Sequence, residues 1–295
     1  MMTSFTVLLT ALGIAALLPV VLHPAIRRSL APAREPGQST PGDCGLSYRE
    51  VSIPTANQRL LHGWFIPAPS AGERPAVILL HGWGGNAETL LPLARPLHEA
   101  DFAVLLFDAR CHGRSDEDSF TSLPRFAEDL EHAFDWLQRQ RQVNHRQIAV
   151  LGHSVGAGAA LLMASRRSEI AAVASIAAFS HPANMMRRFL AAKHVPYLPI
   201  GWYVLHYVQR VIGHRFDEIA PVNTIRRVKC PTLLVHGSAD STVPVAEAQA
   251  IYAARSGEQV QLRIIPGSHD DFGDIGQQAT ALVDFLHQAM STAQP

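Results

Sequence analysis

Hydrophobic and polar positions divide this chain into three regimes. From Phe5 to Leu22 it is almost continuously apolar, interrupted only by Thr6, Thr10, Gly13 and Pro19, and the first 22 residues carry no charged side chain. Ala31 to Gly45 holds three prolines and few apolar residues, the composition of a linker. From Leu46 onward, short apolar runs alternate with longer stretches of helical period. Leu46 to Ile53 and Arg59 to Ile66 suit an antiparallel strand pair at a sheet edge. Strand-like cores at 75–80, 102–107, 146–151 and 170–177 alternate with helical stretches, which predicts a mostly parallel sheet covered by helices on both faces. Runs at 231–235 and 259–265 extend it to about eight strands. A helical tail is expected from about Asp274 to Met290.

The first regime is long enough to matter. Eighteen residues of helix span about 27 Å, close to the roughly 30 Å hydrocarbon core of a bilayer. The expected organisation is therefore a membrane anchor with its basic flank over 1–30, a linker over 31–45 and a folded domain over 46–295. Arg27, Arg28 and Arg34 follow the apolar run, so the positive-inside rule keeps the domain behind them in the cytoplasm. A cleaved signal peptide or a helix packed on the protein's own surface are the alternatives.

Residues 181–220 are too many for a single crossover helix and read as a short helical cap. This segment carries Tyr197, Tyr203, Tyr207, Trp202, Met185, Met186 and Phe189, and from His181 to Phe216 it has five Lys or Arg residues and no acid. An apolar lid with a basic rim would use Met185, Phe189 and Trp202 as substrate contacts. Ile200, Val204, Val208 and Val211 recur at helical spacing and would equally serve a packed helical pair.

The chemistry concentrates at strand ends. Gly152-His153-Ser154-Val155-Gly156 stands between the apolar run 147–151 and a helix-favouring run of small residues, a context that exposes a serine hydroxyl on a sharp strand-to-helix turn. Such a serine needs two N–H donors for the developing negative charge. Val155 follows the nucleophile, and Trp83, in the glycine-rich turn His81-Gly82-Trp83-Gly84-Gly85 after an earlier strand, is the second candidate. Asp240 lies beyond the strand at 231–235 and His269 beyond the one at 259–265. A base histidine needs a carboxylate to fix its tautomer and stabilise the imidazolium, and these two fill those parts.

The order Ser154, Asp240, His269 differs from the chymotrypsin and subtilisin orders, and here the chain resembles an α/β-hydrolase. It is similar to the broad group of serine aminopeptidase-like, lysophospholipase-like and carboxylesterase-like enzymes. The motifs that carry the likeness are His81-Gly82, the loop Asp108-Ala109-Arg110-Cys111-His112-Gly113-Arg114-Ser115, the serine pentapeptide, His236-Gly237 with Asp240, and His269. The resemblance implies the α/β-hydrolase fold with its mostly parallel sheet and a cap. Where the family usually has glycine, Cys111 stands, so the loop is expected to run slightly differently, with a structural rather than a reactive thiol.

Composition narrows the rest. Twenty-five basic and 25 acidic residues balance, and no basic stripe with interleaved aromatics suggests a nucleic-acid partner. Three widely spaced cysteines suit neither a disulfide scaffold nor a zinc site, and the 15 histidines read as scattered surface residues. The expected activity is hydrolysis of a carboxylic, acyl or lipid ester through an acyl-enzyme on Ser154, with no cofactor or metal. A serine aminopeptidase or amidase would use the same residues but needs an acid near the pocket for the substrate amine. A non-catalytic, membrane-tethered binding protein of this fold is the third reading, and such proteins usually lose a triad member.

Overall fold

A computed structural model of the chain describes residues 20, 22–271 and 275–291. Eight strands form one sheet: β1 (Arg49–Thr55), β2 (Arg59–Ile66), β3 (Arg74–Leu80), β4 (Ala103–Phe107), β5 (Val143–His153), β6 (Ala172–Ile176), β7 (Thr232–Gly237) and β8 (Val260–Ile265). Their spatial order is β1-β2-β4-β3-β5-β6-β7-β8. β2 is antiparallel to both of its neighbours, and every pair from β4 to β8 is parallel. β4 and β6 are buried at every position, which is why β4 reads as an unbroken apolar run and β6 as one broken only by Ser175, whereas β1 alternates and shows one face to solvent. β5 begins earlier than its apolar core suggests because Val143 pairs with Arg74 across an irregularity in β3.

The helices are α1 (22–29), α2 (Ala94–Glu99), α3 (Leu123–Gln138), α4 (Val155–Ala164), α5 (Pro182–Ala192), α6 (Trp202–Ile212), α7 (Phe216–Ile219), α8 (Pro221–Thr224), α9 (Val245–Ala253) and α10 (Ile275–Ser291). One core packs α3 and α4 against Ile78, Leu80 and Val150, and the other packs α2 and α10 against Val77, Leu79 and Leu151. In α3 the residues Phe126, Leu130, Phe134 and Leu137 share a face and are wholly buried, each worth about 1.5–3 kcal/mol of transfer free energy. The Ser122 hydroxyl caps that helix by accepting from the Arg125 N–H at 3.4 Å.

Two expectations about the N-terminal part change here. The segment 31–45 is a strap rather than a free linker. Arg34 donates to the Gly113 and Ser115 carbonyls, and Glu88 accepts from the Gln38 and Ser39 N–H groups at 2.8 and 3.2 Å. Residues 22–30, expected to flank an anchor, pack on the protein instead. Ile26 is buried in the core, Leu22 and Leu30 lie against it, and Arg27 donates to the Tyr207 hydroxyl of α6 at 3.1 Å. Among the described residues no helix is long and apolar enough to cross a membrane. Of the expected anchor run from Phe5 to Leu22, residues 5–19 and 21 lie outside the described residues.

Candidate active site

β5 ends at His153 and α4 begins at Val155, so Ser154 makes the turn alone. Its backbone takes φ 54° and ψ −113°, a conformation L-residues avoid at a cost on the order of 1–3 kcal/mol. The surroundings hold it there: its N–H donates to the Ile176 carbonyl at 2.8 Å and its carbonyl accepts from the Gly158 N–H at 3.1 Å. The corner is too tight for side chains at two flanking positions. A Cβ on Gly156 would stand 2.4 Å from the His81 carbonyl oxygen, and one on Gly82 would stand 3.0 Å from Ser154 Cβ. The loop after β3 thus passes beside the serine.

Strand order brings Asp240 and His269 to Ser154. β5, β6, β7 and β8 are successive neighbours, so the loops after β7 and β8 open on the same edge as the serine turn. His269 Nδ1 lies 2.7 Å from Asp240 Oδ2, and His269 Nε2 lies 3.1 Å from Ser154 Oγ. An ionised carboxylate only accepts, so Nδ1 carries the proton and Nε2 offers its lone pair to the serine hydroxyl. The other Asp240 oxygen, Oδ1, accepts from the N–H groups of Thr242 and Val243 at 2.9 and 2.7 Å. Val155 opens α4, where no earlier turn supplies an acceptor for its N–H. Trp83 follows Gly82 in the loop beside the serine.

The alpha/beta hydrolase fold family matches residues 75–197. Rv2307c of Mycobacterium tuberculosis, an uncharacterized protein, is 30% identical over 224 residues, which cover 76% of this chain and 73% of that one. The chain belongs to the alpha/beta hydrolase family. YfhR of Escherichia coli K12, also uncharacterized, is 29% identical over 259 residues, covering 83% of this hydrolase and 82% of its relative. Among solved structures, the Pyrococcus furiosus esterase Pf2001 superposes with a TM-score of 0.71 at 25% identity, covering 87% of this chain and 98% of that one. The alpha/beta hydrolase GrgF from Penicillium sp. sh18 has the same fold, with a TM-score of 0.67 at 23% identity over 83% of this chain and all of that one.

The reading of the hydrolase's histidines as scattered surface residues needs correction. His81, His112, His153 and His236 are buried around the site, and each ring donates one N–H to a backbone carbonyl. His81 Nδ1–H donates to Gly82 at 2.7 Å, His112 Nδ1–H to Arg110 at 3.0 Å, His153 Nε2–H to His269 at 2.9 Å and His236 Nε2–H to Val243 at 2.7 Å. His81 Nε2 also accepts from the Ala109 N–H at 3.0 Å. Burial lowers the pKa of His81, takes His112 down to about 3 and His153 to about 4, so these rings stay neutral near pH 7. His236 Nε2 also lies 3.3 Å from Asp240 Oδ2, behind the acid.

The Asp108 loop follows the same plan. Asp108 accepts from the N–H groups of Ala87 and Arg114 at 2.6 and 2.8 Å, binding two loops together. Buried Arg110 reaches Asp129 on α3 through Nε and Nη2 at 2.9 and 2.6 Å. Cys111 takes the left-handed φ of 64° that glycine would favour. The loop therefore keeps the glycine-like turn despite the substitution. Burial pushes the Cys111 thiol pKa up, and Sγ accepts from the Asp118 N–H at 3.2 Å, the surroundings of an inert thiol.

The cap expected over 181–220 comprises α5, a turn over Tyr197–Gly201, α6 and α7. Of its three candidate substrate contacts, Met185 is half-buried against the core, while Phe189 and Trp202 are exposed. For a metal, the described residues offer one cluster: ligand atoms of His153, His269 and Asp270 lie within 4.8 Å of one another. It shares His269 with the serine relay, and Asp270 is exposed.

Proposed function

We propose that this chain is a serine hydrolase that cleaves carboxylic esters through an acyl-enzyme on Ser154. The observation that carries the reading is the continuous relay from Ser154 Oγ to His269 Nε2 and from His269 Nδ1 to Asp240. Ser154 attacks the acyl carbonyl while His269 takes its proton, and the N–H groups of Val155 and Trp83 receive the oxyanion. The imidazolium, stabilised by Asp240, returns the proton to the departing alcohol. Water then repeats the sequence and releases the acid. No metal or cofactor enters these steps.

Ester is favoured over the amine-bearing substrates of an aminopeptidase by the state of the acid beside the cap. Glu247, the buried carboxylate beside the cap, accepts from the Ser180 N–H and hydroxyl and pairs with Arg188. It is not free to hold a substrate ammonium. The likeness to an esterase supports the same choice. The test is labelling of the purified chain by a fluorophosphonate, followed by a panel of aryl esters, acyl-lipid esters and aminoacyl amides. Labelling at Ser154 with ester turnover is the expected result, and amide turnover exceeding ester turnover would overturn the substrate assignment.

A further inference from the structure

Large apolar side chains reach solvent unevenly in this molecule. Among the described residues eight large apolar side chains are exposed: Val20, Leu60, Trp83, Phe189 (56%), Tyr197 (43%), Leu198 (68%), Trp202 (47%) and Ile264. Four of these eight lie within the 14 positions from Phe189 to Trp202, at the end of α5 and the turn into α6. Isolated exposed hydrophobic residues are ordinary, but a cluster on one element marks a surface that another phase or partner covers.

Cations border the cluster and no acid interrupts its sequence. The Arg187 guanidinium sits 5.0 Å from the Tyr197 ring centre and donates to its hydroxyl at 3.3 Å, and the Lys193 ammonium stands 5.9 Å from the Phe189 ring. Arg188 is already paired with Glu247, which leaves Arg187 and Lys193 as the basic rim. Aromatic and aliphatic side chains framed by Lys and Arg match the boundary between acyl chains and anionic headgroups.

The N-terminal segment points the same way. His23 stacks on Tyr207 with ring centres 3.8 Å apart and hydrogen-bonds the Tyr203 hydroxyl at 2.6 Å, while Arg27 bonds Tyr207 one helical turn on. α1 therefore lies against α6, the helix that Trp202 opens. Val20, just before α1, is exposed.

From this juxtaposition we propose that the cap turn around Tyr197, Leu198 and Trp202 is a membrane-docking surface that seats on an anionic lipid bilayer. The reading rests on the proposed ester hydrolase only for its purpose, the delivery of membrane-held acyl esters. The binding surface stands on its own residues.

The test uses the full chain, mixed with phosphatidylcholine–phosphatidylglycerol vesicles whose acyl chains are either brominated or plain. The Trp202 component of the fluorescence is obtained by subtracting the Trp202→Phe variant from the wild type. Quenching of that component by the brominated chains is the expected result. An unquenched component accessible to acrylamide would leave the turn facing water, and one shielded from acrylamide would mean that residues 1–19 or a second copy cover it. Either outcome overturns the proposal. A parallel arm compares Leu198→Glu with wild type. Turnover of a vesicle-held ester should fall about tenfold, the scale of losing one inserted apolar side chain, with soluble aryl ester turnover unchanged. An equal fall on both substrates would make Leu198 a folding residue and refute docking there. A chain with quenched Trp202 and no ester turnover would sink the hydrolase reading and leave the docking surface standing.

Discussion

Asp240→Asn is the sharpest test of the relay, because the structure dictates how the new amide must sit. Oδ1 of Asp240 receives two backbone N–H groups, from Thr242 and Val243 at 2.9 and 2.7 Å. Only a carbonyl oxygen can accept both, so the amide nitrogen is forced to the Oδ2 position, 2.7 Å from His269 Nδ1. There it meets an N–H of its own kind. His269 must move its proton to Nε2 so that Nδ1 can accept, and Nε2–H can no longer receive the Ser154 proton. The expected loss in kcat is on the order of 10⁴, equivalent to about 5.5 kcal/mol of barrier at 1.36 kcal/mol per decade. Steady-state hydrolysis of a soluble aryl ester measures it, with near-UV circular dichroism to show an intact fold. Asp270→Asn and Asp271→Asn are the controls, expected to cost less than tenfold. Retention of more than a tenth of wild-type kcat by a folded Asp240→Asn variant would refute this account of the relay.

Three further outcomes follow from the same coordinates. Ser154→Ala should abolish fluorophosphonate labelling and lower kcat for an aryl ester by about 10⁶, and unchanged turnover would end the serine mechanism. Deleting 2–30 should lower the melting temperature below that of a chain lacking 2–19, since it also strips buried Ile26, worth about 1.5–3 kcal/mol, together with the packing of Leu22 and Leu30. Equal melting temperatures would show that α1 contributes nothing. Finally, His153 has a folded pKa of about 4 against 6.5 unfolded. The unfolded chain takes up a proton that the folded chain refuses, so stability present above pH 6.5 is lost as pH falls toward 4, by about 3 kcal/mol for this group. Urea melts between pH 7 and 4 should show a shallower acid loss in His153→Gln, and identical slopes would contradict the assignment.

The parts of this fold legible in the sequence are those where burial imposes a local pattern. β4 and β6 are enclosed on both faces, so every side chain but Ser175 is apolar and the run itself marks the strand. Ser154 and Asp240 stand just past such buried runs, and His269 just past β8, an edge strand whose burial is partial. The strap over 31–45 gave no such signal. Its contacts are single long-range bonds, such as Arg34 to carbonyls about 80 positions away, and neither prolines nor polarity distinguishes a fastened strap from a loose linker. The buried histidines were hidden for a related reason. Their partners are backbone carbonyls, which every residue carries, so the sequence shows the rings without showing what they hold.

Those rings explain how groups on separate loops keep a common geometry. Ser154 follows β5, Asp240 follows β7 and His269 follows β8, and no covalent link shorter than a whole strand and crossover joins them. Imidazoles bridge the gaps. His153, beside Ser154, holds the carbonyl of His269, and His236 fixes the Asp240 loop through Val243. His81 binds Gly82 with one ring nitrogen and the Ala109 N–H with the other. A neutral imidazole suits this task because it presents a donor and an acceptor on opposite edges of one rigid ring. Lysine would bring a charge that burial penalises, and serine is too short to span two loops. Neutrality is also a condition of the geometry. A proton on His81 Nε2 would turn its acceptor into a donor facing the Ala109 N–H, driving the two loops apart. The burial that lowers the His81 pKa thereby protects the alignment of the serine site, and acid disturbs that alignment through this ring.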